Sequence, residues 1–257
     1  MLDAVDPELA TAPMTLRQSI GLRVSVALIA VYWAFTAAAY YAGASKPQEA
    51  PSTVTKLAAG VTVNGLLVIA IIAALLWWSG DGARGIGLRR QGAGGQIGRG
   101  VLFGVALFVL ATFVVSPVVS SMLRPEGGEG DGPTAIPHLF RDVRELPLWI
   151  WTGVFGGGVI EELSRIFVLT RFERIAGRTG VVIALIVDTT LFGAGHRYQG
   201  LTAVVTTGMV GLACALIYLR RRSLLEVITA HAIFDVIGIS LAYALVGAPE
   251  QAAAAGS

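Results

Sequence analysis

Residues 156–169 read GGGVIEELSRIFVL, and they place two adjacent carboxylates and a guanidinium inside an apolar run at 148–170. A transmembrane helix needs about 20 consecutive, mostly apolar residues, so this run has the length of a membrane span. Glu161, Glu162 and Arg165 therefore lie where lipid would be the expected surroundings. A charged side chain at mid-bilayer costs at least ~2.5–3.5 kcal/mol, so charges that persist there usually face a protein interior and mark a functional site.

The whole chain has the composition of a membrane protein. Hydrophobic residues make up 54% of its 257 residues and charged residues 14%, and the mean hydropathy is +0.71. A soluble globular chain carries about 25% charged residues. The formal net charge of +2 is too small to indicate a nucleic-acid partner. The single cysteine, Cys214, lies in an apolar run, which excludes a disulfide framework and a cluster of thiolate ligands.

Apolar runs recur along the chain and predict an all-α, polytopic transmembrane helical bundle of about seven spans, within limits of six and eight. The membrane domain would extend over 20–247, between a polar segment at 1–19 and a disordered tail at 248–257. The sequence AGA at 42–44 resembles a signal-peptide cleavage site, but the first apolar run is long for a signal peptide, so we expect it to be retained. The predicted spans are 24–43, 57–78, 101–123, 148–170, 181–198, 201–219 and 224–246.

Arginine distribution predicts the orientation in the membrane. The loops at 79–99, 171–179 and 220–222 are rich in arginine, whereas the loop at 124–147 carries more acids than bases and many Gly and Pro residues. Short loops with an excess of Lys and Arg stay in the cytoplasm. We therefore expect a multi-pass protein of the cell membrane with its N-terminus in the cytoplasm and its C-terminus outside.

Other polar side chains fall within further apolar spans: Asn64, Asp188, His196, Glu226, His231 and Asp235. Residues four apart share one face of a helix. Three pairs have this spacing, namely Glu161 with Arg165, Phe192 with His196, and His231 with Asp235. Three helices could thus bring carboxylates, a guanidinium and two imidazoles into one polar cavity. Such a cavity could hold a water, remove its proton and stabilise an oxyanion.

Each of these residues also has a structural interpretation. A Glu–Arg pair can neutralise itself between helices, and a membrane histidine can be an interhelical hydrogen-bond partner. We expect Asn64 to join helices, Asp188 to pair locally and Glu226 to lie at the membrane interface. The structural interpretation does not explain the combination of two histidines and three carboxylates on three spans at intervals of four.

The ordered motifs EELSR (161–165), FGAGH (192–196) and HAIFD (231–235) resemble those of the intramembrane endopeptidases that include the CAAX prenyl proteases and bacteriocin-processing proteins. That family shows a Glu-Glu pair followed by Arg, then Phe-x-x-x-His, then His-x-x-x-Asn or Asp, on successive segments. With GIGLRR at 85–90, the resemblance covers roughly 85–240. It implies a catalytic set of Glu161, Glu162, Arg165, His196, His231 and Asp235.

Two positions depart from the family pattern. Arg165 follows the Glu pair one residue early, which turns its side chain by about 100° on a helix. We expect it to pair with Glu161 at i+4 or with Glu162 at i+3. Asp235 stands where the better-studied members have Asn, and an ionised carboxylate cannot donate a hydrogen bond to an oxyanion. Asp235 must therefore be protonated, orient His231 or help to bind a metal.

The resemblance implies hydrolysis of a peptide bond inside the membrane. Glu161, alone or with His196, would hold and deprotonate a water, and His231 with Asp235 would stabilise the tetrahedral intermediate. No cofactor is certain, but a divalent metal such as zinc stays open, with Glu161, His196 and His231 as its ligands. The chain lacks the HExxH helix pattern, so the glutamate-activated water is favoured.

The expected partners are membrane lipid and a peptide or protein substrate, which could be lipidated, with no nucleic acid. Two other functions stay open: a catalytically silent family member acting as an immunity or scaffold factor, and a small transporter that uses the carboxylates as a proton relay. Geometry discriminates between them and the peptidase, because Glu161, His196 and His231 should then converge within hydrogen-bond or one-water reach. His196 falls near the outer end of its predicted span, so convergence requires a tilted or sunken fifth helix or a different boundary.

Overall fold

Every regular element of the structure is helical, which confirms the predicted all-α class for the part of the chain described. The computed structural model describes residues 14–43, 53–123 and 142–255, with side chains as far as residue 245. Most of the predicted segment 1–19 and of the acidic loop lies outside these ranges. The α-helices are α1 (Leu16–Gly43), α2 (Val54–Ser79), α3 (Ala93–Leu110), α4 (Ser116–Leu123), α5 (Leu146–Trp151), α6 (Glu162–Gly195), α7 (Leu201–Arg221) and α8 (Leu224–Ala255).

Two stretches of wider, π-helical backbone join α-helices end to end. Ala111–Val115 connects α3 to α4, and Thr152–Glu161 connects α5 to α6. Pro117 lies just after the first stretch and has no N–H to donate to the preceding turn, which favours the wider winding there. The second stretch contains the glycine run of the opening motif and ends at Glu161. The domain boundaries at 20 and 247 stay predictions, and the backbone of α8 is helical as far as Ala255.

Among the described residues, six continuous helical segments are long and apolar enough to cross a membrane. They are Leu16–Ala42, Val54–Ser79, Ala93–Leu123, Val143–Gly195, Leu201–Arg221 and Leu224–Leu245. Six lies within the predicted limits, and the fourth segment contains the fourth predicted span and most of the fifth. These helices support a multi-pass membrane protein.

The fourth segment is a hairpin of two arms. Gly177 breaks the helix with φ 56° and ψ −137°, a backbone conformation that favours glycine. Arg165 contacts Asp188 and Phe192. Arg165 precedes Gly177 in the chain, and its two partners follow Gly177 at a similar separation. The two arms therefore pack antiparallel. The expectation of two spans in this region agrees with this geometry, although the helix is continuous apart from one glycine.

Close packing of α3 against α8 depends on small residues. A Cβ added to Gly100 would lie 2.5 Å from Cβ of Thr229, and one added to Gly104 would lie 2.5 Å from the carbonyl oxygen of Ala230. Side chains at these two positions would push the helices apart, as in other membrane helix pairs that meet at glycine. Large apolar side chains such as Phe35 instead cover the outer surface, where lipid is the solvent.

The arginine-rich loops meet at one end of the molecule. Asp81, after α2, forms ion pairs with Arg171 and Arg174 from α6, and it accepts a hydrogen bond from the Ser79 hydroxyl. This agrees with the expectation that the loops at 79–99 and 171–179 share one side. Which side faces the cytoplasm stays a prediction.

Glu226 lies in the first turn of α8 at this end, and its place at the membrane interface stays a prediction. Its side chain is fully buried and pairs with Arg99 and Arg221 at 2.9 Å each. Burial of the carboxylate is offset because both arginines bring positive charge to it.

We expect the Asp81 cluster to make stability depend on pH. Burial alone would raise the pKa of the Asp81 carboxyl, but Arg171, Arg174 and Ser79 together hold that pKa below its ordinary value. A carboxyl with a lowered folded-state pKa stabilises the fold above its unfolded pKa of about 3.9 and loses this contribution as the pH falls through the folded pKa. Asp81→Asn leaves the guanidinium of Arg171 buried without its partner and should cost about 3–5 kcal/mol at neutral pH.

The measurement is unfolding of the purified protein in detergent between neutral and acidic pH. Asp142→Asn is the matched control, because it removes an exposed carboxylate while asparagine still caps the following turn. Equal losses in the two variants, or a wild-type profile that is flat in acid, would contradict the assigned role of Asp81.

Candidate active site

Glu162 lies at the centre of the candidate site. Its carboxylate is fully buried, and its Oε1 accepts hydrogen bonds from Arg165 and from Nδ1 of His231, the latter at 2.7 Å. Its other oxygen, Oε2, has no hydrogen-bond partner among the residues that the structure describes. The imidazole therefore carries a proton on Nδ1, because a carboxylate oxygen can only accept. This bond leaves Nε2 of His231 facing the rest of the cavity.

Arg165 lies one residue earlier than in the family pattern, and this position determines its partners. It pairs with Glu162 at i+3, and its Nε lies 3.4 Å from Oδ2 of Asp188 on the other arm of the hairpin. Its guanidinium also lies over the ring of Phe192, 4.3 Å from the centroid. Of the two partners expected for Arg165, the structure selects Glu162, and Asp188 pairs with Arg165 across the hairpin.

Glu161 and Asp235 flank the free nitrogen of His231. Nε2 of His231 lies 3.8 Å from Oε2 of Glu161 and 3.9 Å from Oδ2 of Asp235. Both distances are too long for a direct hydrogen bond and fall in the range where a water can bridge polar groups. The Glu161 side chain is 34% exposed, whereas Glu162 is 0% exposed, so the two adjacent carboxylates have different surroundings.

Glycines of the π-helical stretch make room for Asp235. A Cβ added to Gly157 would collide with Oδ2 of Asp235, and one added to Gly153 would lie 2.9 Å from Cβ of the same residue. Gly158 gives the same clearance to Ala232 of α8. These glycines therefore allow α8 to approach the π-helical stretch closely. The π-helical winding also ends at Glu161, and π-helical turns are frequent at functional sites.

His196 lies beside these groups but does not contact them directly. It directly follows the last residue of α6, its Nδ1 donates to the carbonyl oxygen of Phe192 at 2.9 Å, and its ring lies 4.8 Å from that of Phe192. The Phe192 ring in turn lies 6.3 Å from that of His231. The second motif therefore places an aromatic ring between the two histidines. Nε2 of His196 is free to accept a proton or a hydrogen bond from a group entering the cavity.

Cys214 on α7 is a neighbour that the sequence analysis missed. Its sulfur and one ligand atom each from Glu162 and His231 all lie within 4.8 Å of one another, and the three residues are buried. The expected metal ligands were Glu161, His196 and His231, so the structure groups a different set. A lone cysteine in an apolar run carries no sequence signal, because its helix shows neither a ligand spacing nor a second thiol.

The donor types and spacing of Glu162, Cys214 and His231 fit a divalent cation such as zinc. The charge distribution is less suitable. Oε1 of Glu162 already accepts from Arg165 and His231, so a cation at that carboxylate would meet a fixed positive charge. The residues could hold a metal, and they also form a complete set of hydrogen bonds around Oε1 in its absence.

Comparison with protein families supports the three-motif interpretation. Residues 143–237 match the family model described as type II CAAX prenyl endopeptidase Rce1-like. The matched segment contains all three motifs and every residue of the candidate site. No curated protein and no solved structure matches the chain. The resemblance inferred from the motifs is thereby confirmed at the level of the family.

We expect Arg165→Met to destabilise the protein by about 3–5 kcal/mol, because it leaves the Glu162 carboxylate buried without a counter-charge. Adding Glu162→Gln to the same chain should recover much of this loss, since the buried charge then disappears with its partner. Thermal unfolding in detergent measures both variants. Additive losses in the double variant would show that the two side chains do not depend on each other.

Proposed function

We propose that this chain, whose residues 143–237 match the type II CAAX prenyl endopeptidase Rce1-like family, hydrolyses a peptide bond within the membrane by means of a water activated by Glu161. The observation that carries the proposal is the position of Nε2 of His231, 3.8 Å from Glu161 and 3.9 Å from Asp235. Three polar groups thus surround a place within reach of one water molecule.

In this mechanism Glu161 removes a proton from the water as the water oxygen attacks the carbonyl carbon of the scissile bond. The partly exposed Glu161 is the better candidate for this base, because Glu162 already accepts two hydrogen bonds and is inaccessible. Collapse of the tetrahedral intermediate breaks the C–N bond. The proton held by Glu161 then passes to the leaving amine, and the products are a carboxylic acid and an amine.

His231 would stabilise the oxyanion through Nε2 when that nitrogen carries a proton. Glu162 and Arg165 are positioning residues in this proposal: the Nδ1 bond to Glu162 fixes the imidazole plane, and Arg165 holds Glu162. Asp235, protonated, could donate a second hydrogen bond in place of the asparagine found in better-studied members. His196 lies beside Phe192, where it could bind the substrate backbone or share the proton.

We expect Glu161→Gln to lower peptide cleavage by about 10²–10⁴-fold while leaving the fold intact, because the amide keeps the shape of the side chain but cannot take a proton. The experiment compares membrane proteomes of cells that carry the wild-type chain or the variant, followed by cleavage of the identified substrates by purified protein in detergent. Glu145→Gln, outside the site, is the matched control.

Equal cleavage by wild type and Glu161→Gln would exclude this mechanism. If neither form changed any substrate, the chain would instead be a catalytically silent member of the family. A lipidated C-terminal substrate is one class to include in the comparison, because a prenylated cysteine marks CAAX-type substrates.

A metal-dependent route makes a different prediction. Zinc held by Glu162, Cys214 and His231 would act as a Lewis acid on the carbonyl group. We expect the glutamate route, so cleavage should persist after treatment with a strong chelator, and Cys214→Ala should retain activity within about threefold while losing only a small buried group. Loss of cleavage in both experiments, with recovery on addition of zinc to the chelated wild type, would overturn the glutamate-only route.

A further inference from the structure

A cleft of about 450 Å³ opens at the arginine-rich end of the molecule, between the start of α3 and the end of α7. Its volume is in the range of small-molecule sites. Residues from three stretches line it: Arg89, Gln91, Gly92, Gly95, Gln96, Arg99, Arg220, Arg221 and Ser223. None of these side chains is acidic, so the cleft is a candidate site for an anion.

The positive charge of the cleft is only partly neutralised. Arg99 and Arg221 share the buried carboxylate of Glu226, each at 2.9 Å. Arg89 donates to the carbonyl oxygen of Arg222 at 2.6 Å and has no acidic partner within the described residues. Arg220 is exposed and forms no ion pair within the same part of the chain. Four guanidinium groups therefore line the cleft, and Glu226 is the one carboxylate that pairs with any of them among the described residues.

Side-chain hydrogen bonds hold the floor of the cleft in place. Gln96 is 7% exposed, donates to the carbonyl oxygens of Arg89 and Gln91, and accepts from the Ser223 hydroxyl at 2.5 Å. These bonds connect the residues that precede α3 with Ser223, which precedes α8. The start of α3 at Gly92 has no side-chain cap, so the positive end of that helix adds to the field of the arginines.

An apolar groove of about 390 Å³ continues from the cleft along the outer surface of α3 and α7. Phe103, Leu216 and Ile217 line it, and Arg99, Arg220 and Arg221 belong to both cavities. Leu216 is 51% exposed on a helix long enough to cross the membrane. The two cavities therefore form one amphipathic surface, cationic at the end of the helices and apolar along the span.

We propose that this surface binds an anionic phospholipid, with the phosphate headgroup in the arginine-lined cleft and an acyl chain in the apolar groove. Basic pockets between membrane helices on the cytoplasmic side recognise lipid headgroups in this way, and the cleft lies on the side predicted to face the cytoplasm. A free phosphate would use the cleft alone and would leave the groove without a role. The proposal does not depend on the peptidase activity.

Arg220 provides the cleanest test of the headgroup site, since its removal breaks no ion pair in the described structure. Binding of a fluorescent phosphatidylglycerol to the full chain in detergent should be about fivefold weaker in Arg220→Gln, the factor that corresponds to the loss of about 1 kcal/mol per basic residue. Binding of fluorescent phosphatidylcholine should not change. Arg178→Gln is the matched control, because it removes an exposed arginine at the same end but outside the cleft.

Leu216 tests the acyl-chain site. Leu216→Trp should fill the groove and weaken phosphatidylglycerol binding at least about fivefold, since burial of an acyl chain contributes about 0.8 kcal/mol per methylene group. Leu67→Trp, at a position 59% exposed on α2, is the control. Competition by soluble glycerol phosphate should be weaker in Arg220→Gln and unchanged in Leu216→Trp.

Each result supports or overturns the proposal. It is overturned if Arg178→Gln weakens lipid binding as much as Arg220→Gln, because surface charge in general would then be responsible. It is also overturned if Leu216→Trp has no effect, or if glycerol phosphate binds the wild type as tightly as the lipid does, since the cleft would then be a site for free phosphate. Unchanged unfolding temperatures exclude misfolding as the cause of weaker binding.

Discussion

A carboxylate buried among apolar helices must be neutralised, and the site is built around the way in which Glu162 meets this requirement. Arg165 supplies the counter-charge from the next turn of the same helix, and His231 supplies a hydrogen bond from α8. The pair is itself buried, so neither member can be removed without a large cost. This constraint fixes the orientation of three side chains, and a fixed orientation is what the proposed stabilisation of a transition state needs.

The rest of the fold serves to bring the helices close enough for these contacts. Glycines in the π-helical stretch allow Asp235 and α8 to approach, and Gly177 turns the chain so that Asp188 and Phe192 reach Arg165. At one end of the molecule, the ion pairs of Asp81 with two arginines of α6 hold α2 against the hairpin. Polar contacts thus set the positions of the helices relative to one another, and apolar side chains fill the space between the helices.

The two adjacent glutamates show how neighbouring residues acquire different roles. Residues next to each other on a helix point about 100° apart. Glu162 consequently faces Arg165 and is inaccessible, whereas Glu161 faces the cavity beside His231 and remains partly exposed. A structural carboxylate and a chemically available one can therefore stand side by side in the sequence, and their difference arises entirely from the direction in which each side chain points.

The sequence by itself determined the all-α membrane class and the resemblance to a family of intramembrane endopeptidases, because apolar run length and the ordered motifs are properties of the chain alone. It also predicted that Glu161 and His231 approach each other, and that Arg165 pairs with one glutamate of the pair, since spacing of three or four on a helix defines a face. It left open which glutamate, and it missed Cys214 and the burial of Glu226. Those features were decided by the tertiary structure, because contacts between distant segments depend on how the helices pack, and a single-helix pattern carries no information about the neighbour that it will meet.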